Sequence, residues 1–567
     1  MAILSLGMIN QSLADIIASG DDCAADDGSS SCHWEIISGT DEDGNPTQTL
    51  KITGSGAMKT NFGNTKREDN SKVDSGATTN ASWGDYHSTI TGIEIGEGIT
   101  DTGARSFQGL ASVKSVSIPT SLTTIGAFAF DRQPDLVNFN VPDGSKLTNF
   151  SGNGAFQFSS SLTNESAQKV LDTMAANNKN NETMFDIPVN TFNKSNLTSI
   201  TIPEGVNEIG TQAFWGQKIT SIDIPEGVTS IGDFAFSTAT LESITLPSTL
   251  QSIGQAAFHS NNLTSINLPE GMTSIGVNAF INNNLTSIDI PSGVTTIGEG
   301  AFWLNSLTSV DIPEGVTTIG QSAFNAQKGI IDENGKWVSP LASISLPSTL
   351  TEIGDYAFHS HGLTELVIPD SVTTIGMYAF NGLASTDVCD RTIYDCYSDT
   401  LKTIYIPESV TNIGEGAFKS NRALTDIILD GNVDTSGWAQ ETFMDTPAGL
   451  TINCIGDVTK CETALERFRS PNCEGTWNCL VNAKIEPISE KKCNSMANYY
   501  FNGSTCNKRP TDGEEITCDH EISGYVKVGD YCASPENTYA KKHYTPAEAA
   551  QWLHDGNDNF VVITFKK

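Results

Sequence analysis

Long apolar runs are absent from this chain. Nothing approaches the roughly 18 apolar residues of a membrane-spanning helix, so any attachment to a surface is expected to be non-spanning. Bases are scarce: 32 Lys and Arg stand against 67 Asp and Glu, a formal net charge of −35. That balance repels phosphate backbones and argues against nucleic acid as a partner. A glycine-rich phosphate loop, a nucleophile elbow and a carboxylate pair at convergent spacing are all missing, so we assign no catalytic residue and no cofactor, and an enzyme is the least favoured class. Cysteine is missing from the regular interior. Cys23 and Cys32 lie near the start, Cys389 and Cys396 share one segment, and the other eight of the 12 fall between 454 and 532. No CxxC pair and no histidine at finger spacing accompanies them, which disfavours zinc. An even set of this kind reads as disulfides formed in an oxidising compartment, with the connectivity open.

What the chain has is one sentence repeated. "ITSIDIPEGVTSIGDFAF" returns with small changes, and the residues that open each unit (Leu197, Ile219, Leu241, Leu263, Leu285 and Leu307) are spaced by 22. The register extends to Ile90, Val113, Leu136 and Leu162 on one side and to Leu341, Leu363, Leu401 and Leu424 on the other, 14 units in all. Spacing this strict means a solenoid. In "LTSIDIP" apolar and polar residues alternate, the mark of a half-buried strand, and proline closes it. "EGV" or "STL" turns the chain, "VTSIG" gives a second short extended piece, and "DFAF" is long enough only for a helical or 3₁₀ turn. The Ile-Gly pair recurs ten times, so its glycine needs either a positive φ or a tight backbone approach. The terminal phenylalanine, from Phe107 and Phe130 to Phe380 and Phe418, is expected to form an internal spine in coils stacked about 4.8 Å apart.

The pattern LxxIxIPxxVTxIGxxAF resembles the BspA-like leucine-rich repeat over about residues 90 to 445. The segment before it, "CHWEII" through "ITGIEI", is similar to the strand-rich cap that often leads such arrays. The resemblance implies an exported or surface-displayed protein, and some relatives adhere to matrix proteins or other cells. One departure is visible: the position a few residues after the phenylalanine, often cysteine in the family, is polar here, as in "AFHSNN" and "AFINNN".

Specificity has few places to be written. The outward column of the first strand reads Thr201, Asp223, Thr245, Asn267, Asp289, Asp311, Ser345, Val367 and Tyr405, a polar ladder ending in an exposed Val and Tyr. Asp289 and Asp311 should stack and repel, leaving room for a cation or a basic ligand. The column after the phenylalanine reads Trp215, Ser237, His259, Ile281, Trp303, Asn325 and His359, and flat side chains on an exposed ridge suit recognition. "HSHG", with His359 and His361, is too thin a motif for a metal site. Insertions at 157–191, 325–340 and 381–400 all follow the phenylalanine and so project from one edge. The first contains a helix with Asn164 as N-cap. The third, with Arg391, Tyr394 and Tyr397 in a loop pinned by Cys389 and Cys396, is the strongest single contact candidate.

The expected organisation is a truncated signal segment (1–14), a β-rich cap (15–89) carrying a hairpin turn at "DEDGNP", a mainly β solenoid of the leucine-rich-repeat type (90–453) and a small disulfide-rich module (454–567). The expected function is non-catalytic binding of a macromolecule, protein or glycan on host or neighbouring cells, through Trp215, His259, Trp303, His359, Arg391, Tyr394, Tyr397 and Tyr405. The alternative is a structural envelope spacer attached through the Cys-rich module.

Overall fold

A computed structural model describes residues 15–59 except 27, 81–331, 337–382, 400–468, 480, 483–489 and 492–493, with short strands at 499–501, 506–508, 526–528 and 531–533. The expected signal segment, most of the 381–400 insertion with Cys389, Arg391, Tyr394, Cys396 and Tyr397, and the chain's last 34 residues lie outside the described residues. The chain divides into two compact units, Met1–Pro487 and Ile488–Lys567. In the second unit the described strands form two antiparallel hairpins, 499–501 with 506–508 and 526–528 with 531–533.

The cap is a meander of three strands: β1 (Ile16–Gly20), β2 (Ser31–Thr40) and β3 (Pro46–Ala57). The β2–β3 connection is a hairpin turn, as its spacing requires: Asp41 Oδ1 accepts from Asn45 N at 2.8 Å, and Gly44 takes φ +82°. The cap's long strand β3 starts both ladders of the solenoid. Its Thr49–Ile52 pairs in parallel with Gly92–Ile95, and its Gly56–Ala57 pairs with Ile99–Asp101. Because β2 covers the other side of β3 over its full length, the parallel edge is closed by an antiparallel hairpin. A disulfide joins Cys23 to Cys32 within the cap.

Most coils then contribute two short parallel strands, the first reduced to isolated bridges at Asn267 and Asp289. The first strands alternate outward and inward: Ser221, Ile222 and Asp223 are exposed, buried and exposed. The second strands pair Ile on Ile, for example Ile297 on Ile319 and Ile319 on Ile353. None of the ten Ile-Gly glycines has a positive φ; the close approach is the operative constraint. The turn after the proline is also keyed between coils. Glu226 accepts from Ser248 N and Oγ, and Glu314 does the same with Ser348, which is why "PEGV" precedes "PSTL". These backbone N–H groups hold both carboxyls below the usual range.

The "DFAF" segment is neither α nor 3₁₀, contrary to expectation. The residues two before and two after the phenylalanine take positive φ in almost every coil, as in Phe234 (56°) and Thr238 (54°), and a left-handed residue breaks any helical run. This geometry alternates the N–H groups. Ala235 and Ser237 bond within the coil, while Phe234, Phe236 and Thr238 donate to Gln255, Ala257 and His259 of the next coil at 2.8–2.9 Å. Phenylalanine rings stack behind this turn at 5.3–5.7 Å, wider than the strand spacing because the rings are offset. The spine is longer than the repeat predicts. Trp83 begins it 5.9 Å from Phe107, and Phe443 extends it 5.6 Å beyond Phe418.

The polar residues that replace the family's cysteine form a buried column. Asn283 Nδ2 donates to Phe258 O of the preceding coil (2.8 Å) and to Phe280 O of its own (3.1 Å), while its Oδ1 accepts from Leu263 N (3.1 Å). Asn261, Asn305 and Gln327 repeat this arrangement, so carbonyls and amides that the turn leaves over are satisfied in the dry interior.

The 157–191 insertion holds helix α1 (Asn164–Asn180), which takes the place of one first strand. Its N-cap is Thr163, not Asn164, with the hydroxyl accepting from Ser166 N at 3.2 Å. Asn164 has a different task. Its Oδ1 accepts from Thr198 N (3.0 Å), and Gln168 both accepts from Thr201 N (2.7 Å) and donates to Thr201 O (3.1 Å), so the helix presents side-chain amides to the coil that follows. At the far end the first ladder runs on through Thr451–Ile455 to Lys484–Pro487. Helix α2 (Val458–Leu465) is tied to that ladder by the Cys454–Cys461 disulfide.

A Cβ on Gly254 would lie 2.6 Å from Asp233 N and 2.7 Å from Gly232 C, backbone atoms of the coil beneath. Gly254→Ala is therefore expected to destabilise the array by at least about 1–3 kcal/mol, read as a lower urea midpoint.

Candidate functional site

The edge built by the "xAFxx" turns carries the side chains the coil does not consume. At this edge the alanine and phenylalanine point inward, so their neighbours are free to vary. Trp215, His259, Trp303 and His359 are each partly buried, more deeply set than an exposed ridge implies. His259 Nδ1 lies 3.2 Å from Ser237 Oγ, and burial lowers its pKa. His359 Nδ1 lies 3.1 Å from Asn325 Oδ1 and its ring meets Tyr356 edge-on at 5.6 Å.

A second aromatic column escaped the sequence reading. Phe128, Phe234, Tyr356 and Tyr378 occupy the left-handed position two before the spine phenylalanine. The signal was present as the paired aromatics of "FAF" and "YAF". Cations lie over these rings in two runs. Toward the N-terminus Arg105 covers Phe128 (4.5 Å), Arg132 and Lys194 both lie against Phe158 (5.4 and 5.7 Å), and Lys194 also covers Trp215 (4.6 Å). Toward the C-terminus Tyr356 and Tyr378 stack at 5.2 Å, Lys419 lies over Tyr378 at 5.5 Å, and the Tyr378 hydroxyl donates to Glu415 at 3.0 Å. Beside Arg132, burial pushes the Asp131 carboxyl up to about 6, although Gln108 donates to it at 2.7 Å.

The two runs are separated by a charge gap. No Lys or Arg occurs between 219 and 327, a span that holds nine Asp and Glu. Trp303 sits in this gap, and among the described residues no cation lies over its ring.

The outward column of first strands is as expected over most of its length. Asn267, Asp289 and Asp311 are exposed and stand in parallel register, and Val367 is 62% exposed. Tyr405 departs from expectation. It is 3% exposed, between Val367 and a buried Ile428 in register, and its hydroxyl lies 3.3 Å from Asp370 Oδ1. A side chain so enclosed is not a contact residue. Arg391, Tyr394 and Tyr397 lie outside the described residues, so the edge is built without them.

Both ring nitrogens of His361 are engaged within the coils. The residue occupies the position of the buried asparagines, with Nδ1 accepting from Leu363 N (3.2 Å) and Nε2 therefore donating to Phe380 O (3.2 Å). Burial drives its pKa down to about 4. Among the described residues no group of three His, Cys, Asp or Glu could hold a metal ion, and no helix is long and apolar enough to cross a membrane.

The comparisons bear on the repeat. The family model described as "BspA type Leucine rich repeat region (6 copies)" matches residues 85–181, 185–305, 229–334, 336–435 and 384–464. None of the curated proteins compared matches the chain. Similar solved structures include a leucine-rich repeat protein from Bacteroides ovatus ATCC 8483, with 20% identity, 74% of this chain and 98% of that one covered and a TM-score of 0.39. The pneumococcal vaccine antigen PcpA gives 16% identity, 81% and 97% covered and a TM-score of 0.38. A leucine rich cell surface protein from Faecalibacterium prausnitzii A2-165 gives 22% identity, 70% and 93% covered and a TM-score of 0.30.

His361 generates a pH prediction. Its folded pKa lies below the unfolded value, so as pH falls from about 6.5 toward 4 the unfolded chain takes up a proton that the folded one refuses. Stability is lost across that window, by about 3 kcal/mol in total for this group. His361→Asn, which supplies the amide of the sister coils, should flatten the difference between melting temperatures at pH 7 and pH 4.5; an unchanged slope would assign the acid sensitivity elsewhere.

Proposed function

Because the chain belongs to the BspA-type leucine-rich repeat family, we propose that it is a non-catalytic, exported or surface-displayed protein whose turn edge binds a macromolecule, protein or glycan. One observation carries the reading. Along this edge, partly exposed aromatic and imidazole side chains stand beside a fully buried spine, at positions where the fold needs no particular residue. Trp303 is the best placed of them, since no cation among the described residues covers its ring and Asn282 N of the coil beneath donates to its carbonyl. Rigid aromatics offer contact area at low entropic cost. The two disulfides Cys23–Cys32 and Cys454–Cys461 support an oxidising compartment and hence export. The 381–400 segment, with Arg391, Tyr394 and Tyr397, begins at the same edge after Phe380 and is included in the proposed surface.

The full chain, produced through an oxidising pathway, is expected to bind at least one ligand saturably among immobilised matrix proteins, mucin and arrayed glycans. Replacing Trp215 and Trp303 by Ala and exchanging residues 381–400 for a neutral linker should weaken that binding roughly 30-fold or more, since buried interface aromatics are each worth about 2 kcal/mol. A folded variant that binds as tightly as the parent would remove the function from this edge, and a disulfide-bonded parent that binds none of the three classes would count against a binding role.

A further inference from the structure

The second strand ladder parts at two places, between Ser252–Ile253 and Ser274–Ile275 and where helix α1 returns to the coil. It runs from the cap to Asn149–Phe150 and resumes at Phe185–Ile187, and no ladder bond joins these two strands. At this second break the repeat itself is changed. In most coils the residue after the isoleucine is glycine, whose N–H donates to the isoleucine carbonyl of the preceding coil, as Gly232 N does to Ile209 O (2.7 Å). Here Ile187 is followed by Pro188, which has no N–H to give to Phe150 O, and Ser151 replaces the glycine beneath.

Two strand edges therefore face each other across the gap. Ser151 N donates to Ile125 O (2.9 Å), so Phe150, one residue earlier on an extended strand, turns its N–H and C=O away from that neighbour. Ile187 O accepts from Gly210 N (2.7 Å), so Asp186 turns its own pair back toward Phe150. Between them lies a cleft of about 500 Å³. Its ends are held: Gly154 N donates to Val189 O at 2.8 Å on one side, and Asn178 Nδ2 donates to Thr148 O at 2.8 Å on the other. The edge from 149 to 153 is at most about 13 Å long, room for about four extended residues. Asp186 and Glu208 are the only charged residues among those lining it, and Met184, 52% exposed, stands at its rim.

We propose that this cleft takes an extended, lysine-bearing peptide segment as an added strand between Asn149–Phe150 and Phe185–Ile187. Backbone pairing with both edges supplies the affinity, and the two carboxylates select positive charge. This site is separate from the turn edge and does not rest on it.

The probe is a labelled seven-residue peptide of alternating Val and Thr with Lys at each end, titrated by fluorescence anisotropy against the full chain. We expect saturable binding, weakened at least tenfold by N-methylation of alternate residues, by exchange of Lys for Glu, and by Asp186→Asn with Glu208→Gln. Ser151→Gly with Pro188→Gly restores the missing donor and the close approach, and should abolish binding while leaving the far-UV spectrum and melting temperature at or above the parent values. The Trp215 and Trp303 variant should bind this peptide as the parent does, which separates failure here from failure at the turn edge. Equal binding of the N-methylated peptide, or undiminished binding by both the double-glycine and the carboxamide variants, would overturn the proposal. Saturable binding of neutral oligosaccharides to the cleft, with no binding of the peptide, would overturn it in favour of a sugar site.

Discussion

The constraint on which the array depends is a hydrogen bond between coils at the spine. In each coil the N–H of the phenylalanine donates to a carbonyl one coil on: Phe107 to Ala129, Phe214 to Ala235, Phe380 to Ala417 and Phe418 to Thr442. This third ladder passes unbroken through places where strand pairing fails, including Phe156 to Thr191 across the α1 insertion. It goes with left-handed residues on both sides of the phenylalanine in almost every coil, and the chain accepts Arg, Phe, Tyr, Ala and Ser there, although such residues disfavour that conformation. A local cost tolerated in every coil indicates that the continuous ladder and the stacked rings behind it outweigh the loss. The ends confirm the importance of the stack. Trp34 meets Trp83 edge-on at 5.9 Å, and Phe468 meets Phe443 edge-on at 6.1 Å, so each end of the spine is sealed by a ring turned across it.

Because the spine carries continuity, the two strand ladders are free to be interrupted. A whole first strand is replaced by α1, with Asn164 and Gln168 acting as surrogates for strand backbone. The second ladder opens at Pro188. In a fold held by strand pairing alone, either change would split the sheet; here each becomes a local feature at a fixed place. The exposed turns follow the same logic in reverse, since the Glu226–Ser248 and Glu314–Ser348 pairs add inter-coil bonds without touching the core.

Much of this was legible in the sequence, and the limits are physical. Period 22, the alternation in "LTSIDIP" and the invariant phenylalanine specify coil, strand and spine, because each is a burial pattern and burial is written in residue type. Conformation at the turn was only partly legible: of the two readings of the Ile-Gly glycine the close approach holds, while positive φ occurs at Phe234, Tyr356 and Ala256, residues that do not announce it. The polar "NN" after the phenylalanine read as a departure from the family pattern. It is a buried amide column, and only the position of the carbonyls it serves shows why Asn, Gln and once His can occupy it. Trp83 and Phe443 extend the spine outside the period and so could not be found by counting. Tyr405 read as exposed from strand alternation, which does not register that its ring is buried and its hydroxyl held 3.3 Å from Asp370.

The distribution of charge gives the turn edge its final character. Between 105 and 218 eight bases meet nine acids, and three of those bases, Arg105, Arg132 and Lys194, lie over aromatic rings of the edge. Between 219 and 327 nine acids stand without one base. The same edge is therefore cation-covered in its first coils and open in its middle ones. For Trp215 a partner must displace or share Lys194, which lowers the gain from contact with that ring. Trp303 asks no such exchange. A repeat scaffold with identical coils would offer one kind of surface throughout; uneven placement of a few bases divides this one into segments with different demands on whatever they meet.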